Sequence, residues 1–221
     1  MNEPPLILGF DTSGPWCGAV LLHGEMVLSD FYEDMPKGQA EALLPVLEGC
    51  LERGGATWRD LSAIGVGVGP GNFTGIRISV SAARGLSLSL GVPAVGVDLL
   101  DALALEADDP VISSLTAPRE HVYVAGFGTH AKITKQMIAL VDVPADWAEP
   151  GLRCIGTGAA VLAEHLRVEV APAKYAPGSA VARIAAQRWQ TETARPAPLY
   201  LKPPDAAPSR DTAPVMLDHD A

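Results

Sequence analysis

Residues 63–91 read AIGVGVGPGNFTGIRISVSAARGLSLSLG, and this stretch decides the fold. Small and apolar residues alternate up to Gly69, a turn-forming PGNFTG follows, and then apolar residues recur at helical spacing. The reading is strand, loop, helix, with the helix over 75–90. A Walker A loop needs a lysine after its last glycine, where this chain has Ile76. A dinucleotide fingerprint needs G-x-G-x-x-G, and Gly69, Gly71 and Gly75 are one residue too far apart. The glycines therefore read as points where strand, loop and helix approach closely, although the helix N-terminus keeps free N–H groups that suit an anion.

The helix over 75–90 carries no acid and no lysine across its 16 residues; its charges are Arg77 and Arg84, seven apart and on one face. Ile76, Val80, Ala83 and Leu90 form one stripe, and Ile78, Ala82, Gly85 and Ser89 another. A surface helix has one apolar stripe and one charged face. This one is apolar or small nearly all round, so it is either internal or covered by a second chain.

Outward from this unit, LILGFD at 6–11 is an apolar strand ending in an acid, and CGAVLLHG with EMVLSDFYE makes a hairpin turning at His23-Gly24-Glu25. The helix over 39–54 repeats Ala40, Leu43, Leu44, Leu47 and Leu51, carries Val46 and Cys50 beside that stripe, and contains Pro45, which removes one N–H and is expected to kink it. Thr57 and Asp60 form a capping pair. PAVGVD is a further strand, and an Ala/Leu-rich helix closes this half near residue 107. The order then repeats: strands VISSLT, HVYVAGF and KITKQMIALV, a short helix near 145–148, a strand at RCIG, and helices at GAAVLAEHL and SAVARIAAQRWQ. Three antiparallel strands followed by βαβ units, twice over, give an α/β chain of two mixed sheets with helices on both faces. That is a two-lobed, actin-like (ribonuclease-H-like) architecture. Its expected divisions are 1–107, 108–202 and a proline-rich, acidic tail over 203–221.

Bulk properties narrow the function. Hydrophobic residues make up 48% of the 221, enough for packed cores, while aromatics are only 5%. The formal net charge of −10 excludes a free-standing nucleic-acid binder, which needs a basic footprint. Cys17, Cys50 and Cys154 are widely spaced with no CxxC, which argues against a disulfide scaffold or zinc ribbon. The start, MNEPPLILGFD, lacks a signal peptide's basic region, and no apolar run reaches the ~18 residues of a membrane span, so a cytoplasmic protein without membrane partners is expected.

Asp11-Thr12-Ser13-Gly14 ends the first strand. In actin-like folds a carboxylate and hydroxyls there face nucleotide phosphates and Mg²⁺; equally, these four residues make ordinary turns. A working clamp also wants an acid at the matching strand end of the second half, where Thr116-Ala117-Pro118-Arg119 stands. Asp11, Thr12 and Ser13 are thus candidates for a vestigial nucleotide-binding turn. His23, His121, His130, His165 and His219 include no HxxxH pair, and no G-x-S-x-G elbow occurs.

The stretches ILGFDTS, GQAEALLPVLEGCL, AIGVGVGPGNFTGIRISVSAARGLSLSLGVPAVGVDLLDALA and PLYLKPPDA resemble the TsaB family, which serves the bacterial synthesis of N6-threonylcarbamoyladenosine in tRNA. The resemblance implies an actin-like fold without catalysis of its own. Its catalytic relatives, the TsaD proteins, bind a metal through an HxxxH pair that this chain lacks. TsaB-like proteins pair with TsaD and with themselves through the two helices at 39–54 and 75–90. The surface expected to pair is Leu43, Val46, Leu47, Cys50, Phe73, Ile76, Arg77, Val80, Ala83 and Arg84. With a TsaE-like ATPase the assembly modifies adenosine 37 of ANN-decoding tRNAs. ATP, metal and tRNA are then expected to engage through the partner subunits, leaving this chain no cofactor. The alternative is an actin-like small-molecule kinase or nucleotide hydrolase using Asp11 and the glycine loop.

Overall fold

The computed structural model describes residues 3–201 and contains two five-stranded mixed sheets. The first has the order β3-β2-β1-β4-β5, from β1 (Leu6–Asp11), β2 (Trp16–His23), β3 (Met26–Asp34), β4 (Ala63–Gly67) and β5 (Ala94–Val97). β1, β2 and β3 are antiparallel, and β4 and β5 add on in parallel. The second sheet repeats this plan with β6 (Val111–Ala117), β7 (His121–Phe127), β8 (Gln136–Ala139), β9 (Arg153–Ile155) and β10 (Glu169–Val170), in the order β10-β9-β6-β7-β8. Duplicated element order is thus a duplicated sheet topology.

β1, β2, β4 and β5 split their side chains between two cores, as the period of two requires. Leu8, Phe10, Leu21, Ile64 and Val66 meet α1 (Gln39–Arg53) and α2 (Phe73–Leu90). Ile7, Val20, Leu22, Ala63 and Val95 meet α3 (Leu99–Ala104) and α5 (Pro177–Arg188) on the opposite face. The second sheet adds Leu115, Ala117, Tyr123 and Ala125 to that same core, so one continuous apolar cluster joins the two halves. Its other face packs on α4 (Ala159–Leu166) with Ile133, Val143 and Trp147.

Several boundaries differ from the sequence-based expectation, each for a local reason. α2 begins at Phe73 rather than 75, because the Asn72 side chain accepts a hydrogen bond from the Gly75 N–H and caps the first turn. α1 runs continuously across Pro45. The expected long strand KITKQMIALV narrows to β8; Leu140–Asp142 form a 3-10 turn instead. β10 is only two residues long and joins by parallel pairing to β9, a signal too short to read in advance.

The larger correction concerns α5. Chain order places it with residues 108–202 in the second lobe, yet it lies on the first sheet. Gly9 and Gly65 supply the seat: a Cβ on Gly9 would stand 2.6 Å from the backbone nitrogen of Ala182, and one on Gly65 would stand 2.8 Å from the Ala185 Cβ. Without side chains there, helix and sheet backbones approach closely enough to bury Val181 and Ala185 completely. The tail expected over 203–221 lies outside the described residues.

Candidate functional site

The Asp11 turn is closed from three sides. Asp11 and Thr12 are fully buried, and Ser13 is 1% exposed. The indole Nε1 of Trp16 donates to Asp11 Oδ2 at 2.6 Å, and Ser13 Oγ donates to the same oxygen at 3.1 Å. The other oxygen, Oδ1, has no hydrogen-bond partner among the described residues and lies against Gly67 so tightly that a Cβ there would overlap it. Burial therefore pushes the Asp11 carboxyl above the usual carboxylate range, only partly opposed by the bonds from Trp16 and Ser13. The loop before α2 locks the turn from the third side. Thr12 Oγ1 donates to the Gly75 carbonyl at 2.8 Å, the Asn72 N–H donates to the Ser13 carbonyl at 2.6 Å, and Gly75 leaves no room for a side chain beside Thr12. The glycine run is thus close-packing chemistry. A phosphate-binding turn must offer its polar groups outward, and these face one another. This geometry does not favour the kinase or hydrolase reading.

Nucleophiles fare no better. All three cysteines are free and buried, and burial pushes Cys17 up to about 11 and Cys154 to about 12, far from the thiolate that chemistry at neutral pH requires. Among the described residues no group of three His, Cys, Asp or Glu side chains is placed to hold a metal ion. Among them also, no helix is long and apolar enough to cross a membrane.

α1 and α2, the helices expected to pair, lie side by side on one face of the first sheet, and their stripes divide unexpectedly. Leu43, Leu47, Cys50, Ile76, Val80 and Ala83, all expected at a partner interface, are each 3% exposed or less. They are packed on Leu8, Phe10, Leu21, Ile64 and Val66 of their own sheet. That expectation is corrected: a side chain already covered by its own core has no surface left to give. The stripe with the bulkier apolar side chains covers the sheet, and the stripe of smaller ones turns outward.

The outward side carries Gly85 with Leu44 at 49% and Leu88 at 85% exposure, and Ile78 and Ala82 stand half-buried at its edge, still packed against the core. A Cβ on Gly85 or Gly49 would meet nothing within 4 Å, so the backbone lies open above both glycines. Of the expected interface residues, Phe73, Arg77 and Arg84 are exposed and Val46 is half-buried. At the N-terminal end of α2, Phe73 stacks on Tyr200 with centroids 5.3 Å apart. The Arg77 guanidinium sits 3.9 Å from the Phe73 ring centre, and its Nε donates to the Tyr200 hydroxyl at 3.0 Å. Tyr200 reaches this place because Leu199 pairs its N–H with the Val68 carbonyl, laying the chain's last described residues along β4. Neither Tyr200 nor the lid function of Trp16 was read from the sequence. A tryptophan five residues past a buried acid, in a strand otherwise built of small and aliphatic residues, was the available signal.

Two mixed sheets with matching topology, joined by one core and sheathed by helices, define this chain as a two-lobed protein of the actin-like class. The YeaZ structure from Pseudomonas aeruginosa has the same fold, with a TM-score of 0.73 and 24% identity over 89% of this chain and all of that one. A family model described as "TsaD: tRNA N6-adenosine threonylcarbamoyltransferase" matches residues 33–151. An uncharacterized protein of Mycobacterium tuberculosis is 31% identical over 91% of this chain and 94% of its own length. The protein named "tRNA threonylcarbamoyladenosine biosynthesis protein TsaB" in Bacillus subtilis is 32% identical over 65% of this chain and 64% of its own. The chain belongs to the TsaB family.

Proposed function

We propose that this chain is a non-catalytic subunit of the machinery that makes N6-threonylcarbamoyladenosine in tRNA, and that it works by pairing with a TsaD-like catalytic chain. The observation that carries this is the outer side of α1 and α2, where Leu44 and Leu88 stand exposed beside the open backbone at Gly49 and Gly85, next to the exposed Phe73–Arg77–Tyr200 cluster. Small residues let a second helix come close, while aromatic and arginine side chains are the residue types that concentrate binding energy. The sealed Asp11 turn and the protonated, buried thiols support a subunit that leaves chemistry, ATP and metal to its partners. The same face serves a homodimer when the catalytic chain is absent, so the two pairings compete. A TsaE-like ATPase and the tRNA join through the assembly, because a net charge of −10 repels phosphates. The machinery is placed in the cytoplasm.

The test separates the two faces of α2. Leu88→Glu puts a charge on the outer face; Leu88 is 85% exposed, so the variant is expected to keep the fold within about 0.5 kcal/mol and to lose co-elution with the TsaD-like chain. Val80→Glu puts a charge into the core and is expected to unfold the protein on circular dichroism. A Leu88→Glu variant that still pairs as wild type would sink the proposed surface.

A further inference from the structure

Between the two sheets lies a cavity of about 240 Å³ that the pairing reading does not use. Its floor is Trp16, Leu99 and Leu115, all buried, and its rim carries Tyr32, Thr157 and Tyr175. The aromatic walls are held in place. Trp16 is fixed by its bond to Asp11 and stacks on Tyr32 at 6.5 Å and 28°. Tyr175 donates to Glu106 at 3.0 Å and lies under the Arg183 guanidinium at 4.6 Å.

Three features define what fits. An apolar cavity of ~150 Å³ is known to hold benzene, so 240 Å³ has room for a second fused ring. Fixed aromatic walls favour a flat, stacked occupant. Among the described residues the site offers an anion no counter-charge: no Lys or Arg lines it, and the nearby Lys174 and Arg183 are paired with Glu106 and Glu25. A triphosphate would have to lose its water against apolar walls. One polar group is well placed. The Thr157 hydroxyl accepts from the Thr116 N–H at 3.1 Å, leaving its own proton for a heteroatom of the ring.

We propose that this cavity binds an uncharged, flat heteroaromatic molecule of one or two fused rings, seated between Trp16 and Tyr175 with a ring heteroatom toward Thr157. The occupant touches side chains from both sheets and from the segment leading into α5, so it ties the halves together. The proposal does not depend on which chain this protein pairs with.

Benzimidazole is the probe, benzoate and ATP the charged controls, with the full chain at pH 8. Calorimetry is expected to show saturable benzimidazole binding, and a concentration several-fold above Kd to raise Tm by about 2–4 °C. The Trp16 indole N–H resonance should shift, while those of Trp58, Trp147 and Trp189 stay in place. Ala173→Trp, which fills the mouth from a half-buried position, should weaken binding at least tenfold. If that variant does not fold, Thr157→Val should still weaken binding severalfold. The proposal is overturned by an unsaturable benzimidazole titration, by shifts that spare Trp16, or by unchanged binding in the folded variants. Benzoate or ATP binding as tightly as benzimidazole overturns the uncharged class.

Discussion

The turns after β1 and after β6 occupy the same place in the two sheets and are built in opposite ways. After β1 the chain buries an acid, two hydroxyls and an indole in one another's company. After β6 it makes a tight hairpin turn at the surface, with Arg119 and Glu120 held at φ of 58° and 57° and Thr116 reaching across to Thr157. Both φ values fall in the left-handed region that suits Asn and Gly, within the three residues that join the paired Ala117 and His121. A carboxylate at a strand end therefore does not make a phosphate site. The first turn buries its polar groups to hold the fold, and the second makes its contacts at the surface, to Thr157 and, through the Glu120 carbonyl, to the Leu140 N–H.

Trp16→Ala tests that contrast most severely. It removes a large buried ring and leaves Asp11 without its strongest partner, so a loss of about 3–5 kcal/mol is expected by denaturant titration. A loss under 1 kcal/mol would mean that the indole is not the lid. Asp11→Asn is expected to act in the other direction and to depend on pH. Burial raises the carboxyl's pKa in the folded protein above its unfolded value, so folding holds that proton more tightly. The associated stability is full below the unfolded pKa and is lost as pH rises through the folded one. Wild-type Tm should consequently fall relative to Asp11→Asn as pH is raised from acid to alkaline. Parallel curves would show that Asp11 is not penalised by burial. The smallest effect belongs to the second turn: Arg119→Asn with Glu120→Gly should relieve left-handed strain and gain about 1 kcal/mol, or 2–4 °C in Tm. A loss there would show that Arg119 and Glu120 make contacts worth more than the strain.

The two halves also differ in how far the sequence discloses them. β1, the β2–β3 hairpin, α1, β4 and α2 stand out because long periodic runs end at Gly or Pro. β8 and β10 are short and defined by their neighbours, so local pattern could not bound them. The direction of α2 was illegible for a sharper reason. A helix apolar all round presents two stripes, Ile76–Val80–Ala83 and Ile78–Ala82–Gly85, and periodicity alone gives no rule for which one meets the sheet. The docking of α5 was hidden likewise, because the order of elements along the chain does not say which sheet a helix will cover. Gly9 and Gly65 marked the seat, but only their distance from Ala182 and Ala185 shows what sits there.

The return of α5 to the first sheet has a consequence for synthesis on the ribosome. β1 through β5 precede α5 in the chain, and one face of their sheet is covered only in part, by α3, until Val181, Ile184 and Ala185 emerge. The nascent amino-terminal half cannot complete its core as it appears, and must wait, apolar surface exposed, while the entire second sheet is made. Folding of the first sheet is thereby coupled to the synthesis of α5, and a chain stalled before residue 177 is a substrate for chaperones rather than a half-built subunit.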